Sequence, residues 1–288
     1  MTQQAHFSEY VNVAEKDWTS YCQIQFERLK KIKRTLSSKA QISRNPFEPI
    51  ASLTALDFPL GGYLDGIQKL RQYATKQTPK SSTWATAIRD AAMMALLAMH
   101  PVRAQNLNMM RFGPGGHLTQ SPSGRWGMKF EPNEMKNHEG AAKGRPFDVA
   151  LPEWVGELMN EWLFDARPIL EDPSHRTSLV FISENKASHG IPWEGSQKAF
   201  ARRVRRFIPH CPGFGPHSVR HLVATSWLKT HPHDYPSVAL LLHDKLETVL
   251  KHYAHVEMRH THQVHADEVE RMYRDQIDYE ARRLTKKV

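Results

Sequence analysis

The sequence predicts a mainly α-helical protein with one small antiparallel β-sheet. Three observations carry that prediction. Apolar residues recur at three- and four-residue steps through most of the chain, most regularly at Ala85, Ile88, Ala91, Ala92, Ala95, Leu96 and Met99. Between Arg125 and Leu151 the period changes: Trp126, Met128 and Phe130 alternate, and so do Phe147, Val149 and Leu151, as in paired half-buried strands. With 288 residues and 40% hydrophobic content the chain can build a substantial core, in one large domain or two smaller ones.

Taken in order, the pattern from Glu9 to about Ser38 is helical, with basic side chains between apolar positions such as Trp18, Phe26, Leu29, Ile32 and Leu36. Asn45-Pro46 and Glu48-Pro49 interrupt it, and Leu53–Leu60 and Tyr63–Tyr73 read as two further helical pieces around Gly61-Gly62. Thr75–Ser82 reads as a linker, with Thr83 as the cap of the next helix. This divides the chain into a helical segment, 1–78, and a larger domain, 79–288, with a tail helix. In the larger part, Trp84–Met99 is a buried helix ended by Pro101, Arg103 begins a second helix, and Gly113–Gly124 is a loop. The strands are joined by a polar turn, Lys136 to Arg145, with Lys136 and Lys143 towards its ends. Pro152–Leu170 is helical, Leu179–Ile182 is a short strand or buried run, and Gly195–Ile208 is a basic helix. Pro216–Trp227 is a helix with Ser218 as its N-cap. A short helix ends at His243, and Lys245–Tyr253 places Leu246, Val249, Leu250 and Tyr253 on one inward face. Beyond it, Val269, Met272, Tyr273, Ile277 and Leu284 form a loose apolar stripe, suited to docking on a neighbouring subunit or to packing within the chain.

A formal charge of +9 and a pI near 9.5 point to a polyanionic partner. The charge is clustered. Lys30, Lys31, Lys33 and Arg34 fall in an acid-free stretch from Arg28 to Arg44, and Lys198, Arg202, Arg203, Arg205 and Arg206 fall in another from Lys198 to Arg220. With Lys143 from the turn, these are the expected phosphate contacts, and the two patches suggest a groove held from two sides. A membrane surface would attract the same charge, but no apolar run approaches the roughly 20 residues of a span. Met1–Tyr10 has no apolar leader core either, so a cytoplasmic, nucleoid-associated protein without a membrane partner is expected. Cys22 and Cys211 are too few and too far apart for a disulfide framework or a zinc–cysteine site. The run His252, His255, His260, His262 and His265 lacks the cysteine or carboxylate partners of a compact metal site, so no metal or other cofactor is expected.

His217 and Arg220 stand three residues apart on one helix. An imidazole moves protons near neutral pH and a guanidinium forks onto two phosphate oxygens, so the pair suits phosphodiester chemistry. By itself a His-x-x-Arg pair is more often a solvated helix face. The order Arg103, Lys136, His217, Arg220, His243, Tyr253 is more specific, and here the chain resembles the tyrosine recombinase (phage integrase) family. Pro216–Thr225 resembles the family's His-x-x-Arg helix. Leu241-Leu242-His243 followed by Tyr253-Ala254-His255-Val256 is the other strong piece. Arg103-Ala104-Gln105-Asn106-Leu107 is similar to the first-arginine motif, with Asn106 where the family usually places an acid that supports that arginine. Glu134-Met135-Lys136-Asn137, followed by Val149-Ala150-Leu151-Pro152, is similar to the lysine hairpin. Its connection is longer, which keeps Lys143 as an alternative to Lys136.

The likeness runs from about Asn45 to Val256 and implies a tyrosine-recombinase-like catalytic domain acting on double-stranded DNA, as in the integrases of mobile genetic elements. Arg103 and Arg220 would bind the non-bridging oxygens of the scissile phosphate, His217 would accept the proton of Tyr253, Lys136 would protonate the leaving 5′-oxygen, and His243 would hydrogen-bond the phosphate. The implied product is a 3′-phosphotyrosyl link, resealed without ATP or metal. The resemblance also implies a homotetramer on synapsed DNA and admits a free monomer. On this resemblance the 1–78 segment would correspond to part of the family's four-helix DNA clamp. Three other readings stay open: a recombinase-like protein acting by occupying DNA, a type IB topoisomerase, and a histidine-rich metallohydrolase.

Overall fold

In the computed structural model the described residues are 18–39, 45–135, 144–185, 190–254 and 265–277. Chain contacts separate residues 1–45 from 46–288, so the division falls well before residue 78. Within the first unit lies helix α1, Trp18–Lys39. Trp18, Ile24, Phe26 and Leu29 are exposed on it, as are Lys30, Lys31, Lys33 and Arg34.

The second unit begins with short turns that include helix α2, Ala51–Thr54, and continues into α3, Pro59–Thr75. Gly61-Gly62 does not break α3. Pro59 starts the helix at its first turn, and Gly62 lets it approach α2, since a Cβ there would sit 2.8 Å from Leu53 Cδ2. The centre of the unit is α4, Ser82–Met99. Every residue of α4 from Ala85 to Ala98 is buried, because its alanines admit neighbouring helices on all sides. Ser81 rather than Thr83 caps it, accepting the Trp84 N–H at 3.1 Å. Tyr63 of α3 donates to the Met94 carbonyl at 3.2 Å, which binds α3 to α4 and explains why residues 46–78 belong with the larger unit.

Helix α5, Ala104–Met109, leads into the sheet of β1, Leu118–Gln120, β2, Trp126–Phe130, and β3, Phe147–Ala150. The three strands are antiparallel in that order, with Met128 opposite both Leu118 and Val149. Trp126, Met128 and Phe130 face the core, as their alternation predicts. Helix α6 comprises Glu153–Asn160, a π-helical turn at Glu161–Ala166, and Arg167–Leu170. The wider turn accompanies a fully buried Trp162, whose Nε1 donates to Val180 O at 3.0 Å. Leu179–Ile182 is the buried run of the two forms expected. Among the described residues a single antiparallel bridge, Arg111 to Leu179, marks it as sheet-like.

The remaining helices are α7, Ser196–Phe207; α8, Pro216–Thr230; α9, Tyr235–Leu241; α10, Leu246–Tyr253; and α11, 265–277. Helix α8 starts at Pro216 with Gly215, not Ser218, as its N-cap, because proline is already set for the first helical position. Ala224, Leu228, Val238, Leu242, Val249 and Tyr253 form a second hydrophobic cluster, while Leu246 and Leu250 of the expected stripe are exposed. On α11, Val269, Met272, Tyr273 and Ile277 are exposed, and Leu284 lies outside the described residues. Among the described residues no helix is long and apolar enough to cross a membrane.

One ion network ties α4 to α7. Arg89, 1% exposed, donates to Asp90 Oδ1 at 2.8 Å and to Ile182 O at 3.1 Å, and its guanidinium lies 3.9 Å from the Trp193 ring centroid. Asp90 Oδ2 accepts from Arg203 at 2.6 Å. Replacing Asp90 by Asn would leave a buried guanidinium short of its counter-charge, so urea unfolding should show a loss of about 3 kcal/mol. A loss under about 1 kcal/mol would show that the exposed Glu184, 3.9 Å from Arg89, can replace it.

Candidate active site

The loop after α4, the start of α8 and the turn between α9 and α10 converge around Arg220. This residue lies on α8 and is only 5% exposed. Its Nη1 donates to Pro101 O at 2.6 Å, and its Nη2 donates to Leu242 O at 2.8 Å and to Asp244 Oδ2 at 3.2 Å. Burial, and then the charge of Arg103, push its pKa down to about 10, with Asp244 opposing, so it remains a cation at neutral pH. Arg103 is the N-cap residue of α5, just after the bend at His100, and its Nη2 lies 3.2 Å from the same Asp244 oxygen.

His243 follows α9 in the left-handed conformation, at φ +48°, which turns the chain sharply enough to bring Leu242 O and the Asp244 carboxylate to the arginines. Its imidazole packs edge-on to Phe147, 5.7 Å between centroids, and bonds the backbone of Arg145. Burial first, then the charges of Arg103, Arg145 and Arg220, lower its pKa, so it is a neutral imidazole at neutral pH.

Tyr253 ends α10 and is 4% exposed. Its hydroxyl lies 3.0 Å from His221 Nδ1, and its ring meets Phe47 edge-on at 5.9 Å. The imidazole in contact with the phenol is thus His221, one helical turn beyond His217, whereas the sequence pointed to His217. His217 is exposed in the first turn of α8, and its ring packs perpendicular to that of His221 at 5.1 Å. Burial raises the Tyr253 pKa above the ordinary phenol value, and Arg220 only partly counters it.

Arg103, Arg220, His243 and Tyr253 are therefore gathered in one region, with His217 at its edge through His221. Lys136 and Lys143 lie outside the described residues. Asp244 and His221 join the site without having been singled out from sequence. Adjacency to His243 and the four-residue step from His217 were the signals available for them. Of the basic residues on α7, Lys198, Arg202, Arg205 and Arg206 are exposed. Arg205 donates to Pro212 O at 2.8 Å, and Arg206 lies 4.4 Å from the Tyr73 ring centroid. Arg203 differs, because its guanidinium is turned inward to Asp90 and Thr86. Among the described residues no group of histidine, cysteine or carboxylate side chains could hold a metal; His255, His260 and His262 lie outside them.

The raised phenol has a measurable consequence. Above pH 10.0 the unfolded Tyr253 ionises while the folded one keeps its proton, so unfolding is increasingly favoured, at about 1.4 kcal/mol per pH unit for one group. Tyr63, also raised by burial, acts in the same direction. Urea unfolding at pH 9 and pH 11 should show a steep loss in the wild type and a clearly smaller one in Tyr253→Phe. Equal losses would mean that Tyr253 ionises normally.

No protein-family model and no curated protein sequence matches the chain. Solved structures do. The XerH site-specific recombinase bound to palindromic difH substrate, a post-cleavage complex, is 18% identical with a TM-score of 0.50, over 71% of this chain and 50% of that one. A pre-cleavage complex of XerH with difH is 21% identical, TM-score 0.46, over 67% and 48%. XerA recombinase is 15% identical, TM-score 0.43, over 71% and 61%. The chain thus spans about half the length of the XerH structures it matches. At this identity the likeness is one of architecture, a mostly helical unit with one small antiparallel sheet. The chain has the fold of the tyrosine recombinase catalytic domain.

Proposed function

We propose that the protein is a site-specific DNA recombinase or integrase that cleaves and rejoins strands through a 3′-phosphotyrosyl intermediate. The observation that carries the reading is the meeting of Arg103 and Arg220 on one carboxylate oxygen, 3.2 Å from each, in the same region as His243 and Tyr253. Two guanidiniums that converge on a single oxygen can also converge on a phosphate. The XerH post-cleavage structure is bound to palindromic difH substrate, and duplex DNA is the partner proposed here. The exposed bases of α1 and α7 supply sequence-independent phosphate contacts.

In this mechanism the Tyr253 oxygen attacks phosphorus, the bond from phosphorus to the 5′-oxygen breaks, and the DNA 3′ end stays esterified to the tyrosine. The two arginines stabilise the charge that builds on the non-bridging oxygens, commonly the largest contribution in such a site. Neutral His243 donates a hydrogen bond to the phosphate. The phenol proton passes to an imidazole of the His217–His221 pair, and Lys136, with Lys143 as the alternative, protonates the leaving 5′-oxygen, a step worth about 10²- to 10⁴-fold. Reversal with another strand's 5′-hydroxyl reseals the DNA, since the phosphotyrosyl ester keeps the energy of the broken bond. Exchange between two duplexes is proposed to use a homotetramer on synapsed DNA.

A pool of nicked suicide duplexes of randomised sequence tests the proposal. The wild type should form a covalent protein–DNA adduct, in EDTA as readily as in magnesium, and Tyr253→Phe should form none. Arg220→Ala should slow adduct formation by about 100-fold or more. An adduct that persists in Tyr253→Phe would sink the assignment. Tight duplex binding with no adduct would favour the occupancy reading, which the sheltered Tyr253 hydroxyl supports.

A further inference from the structure

We infer that Asp244 is a positioning residue that holds Arg103 in register with Arg220. The two guanidiniums are close enough for the charge of Arg103 to act on Arg220, a repulsion that works against their pairing. Arg220 is fixed from behind by the carbonyls of Pro101 and Leu242. Arg103 sits at the more open side, with its side chain 19% exposed against 6% for Arg220. Asp244 Oδ2, 3.2 Å from an Nη2 of each, is the negative charge common to both.

The carboxylate is itself aimed. The Asp244 N–H donates to Ala239 O at 2.9 Å, its Oδ1 faces the Lys245 N–H at 3.3 Å, and the left-handed His243 sets the turn that presents it. Asn106, on the helix that Arg103 begins, carries no charge and gives its Nδ2 to Glu134 O at 3.0 Å. Asn106 therefore gives the arginine pair no charge, whereas Asp244, in the turn before α10, does. Asp244 thereby links the register of the arginines to the turn from which the tyrosine helix departs.

The consequence for catalysis rests on the recombinase reading; the consequence for geometry does not. Two measurements on the 288-residue chain separate them, using Asp244→Asn and Asp244→Glu. In crystal structures without DNA, the Arg103 guanidinium should leave Arg220 in Asp244→Asn, stay beside it in Asp244→Glu, and Arg220 should keep its two carbonyls in both. On a suicide duplex that the wild type cleaves, Asp244→Asn should lower the adduct rate at saturating DNA by about 10- to 100-fold, the worth of a charge-assisted hydrogen bond. Duplex Kd should stay within about threefold, and Asp244→Glu should recover most of the rate. An unmoved Arg103 with an unchanged or faster rate would overturn the inference, as would a loss confined to Kd. If Asp244→Asn fails to fold, Asp244→Glu decides: Arg103 beside Arg220 with most of the wild-type rate supports the inference, and a displaced Arg103, or a rate lost with Arg103 in place, counts against it. A wild type that forms no adduct, together with an Arg103 that swings out in Asp244→Asn, would end the recombinase reading and leave the positioning role standing.

Discussion

A positive charge inside the core organises this molecule. Arg220 is too deeply placed for water to solvate it, and an unpaired guanidinium at that depth would cost several kcal/mol. The fold meets the cost with three acceptors from two places: Pro101 O beyond the central helix, and Leu242 O and Asp244 Oδ2 at the turn before the tyrosine helix. Each requires a local break in regular structure. Pro101 stops α4, and the left-handed His243 ends the short helix α9. Segments that look like interruptions in the sequence are thus the segments that the buried cation needs.

The same pairing joins stability to chemistry. Arg103 and Arg220 repel one another, and Asp244 stands against both as a shared anion. Around Tyr253 two effects compete. Arg220 favours the phenolate and burial disfavours it, and burial is the larger. The phenol is consequently protonated and bonded to His221 in this form of the protein. Strong cations beside a protonated phenol would suit the proposed reaction, in which charge develops only as the phosphorus–oxygen bond forms.

Much of the architecture was legible from periodicity. The alanine-rich run of α4 announced a helix buried all round, and the alternation at Trp126, Met128 and Phe130 announced the sheet. Helix starts were less legible, because Ser81 and Gly215 won over Thr83 and Ser218 through where the backbone enters the helix, which composition does not encode. Gly61-Gly62 looked like a break and serves as a close-packing surface. In the site, the order of Arg103, Arg220, His243 and Tyr253 could be read along the chain. Asp244 and His221 could not, because their meaning lies in contacts across long separations: Arg103 and Asp244 are 141 residues apart, and Tyr253 and His221 are 32 apart. A carboxylate after a histidine, or a second histidine four residues along a helix, is a weak signal until the fold brings its partner.

The central claim is that one phenol, Tyr253, attacks a phosphate held by the two arginines. Its most direct test is mass spectrometry of the nuclease-trimmed, trypsin-digested protein–DNA adduct. The account predicts a residual nucleotide on the peptide from His252 to Arg259, attached at Tyr253 and nowhere else. A nucleotide on another tyrosine, or on a serine, would contradict it.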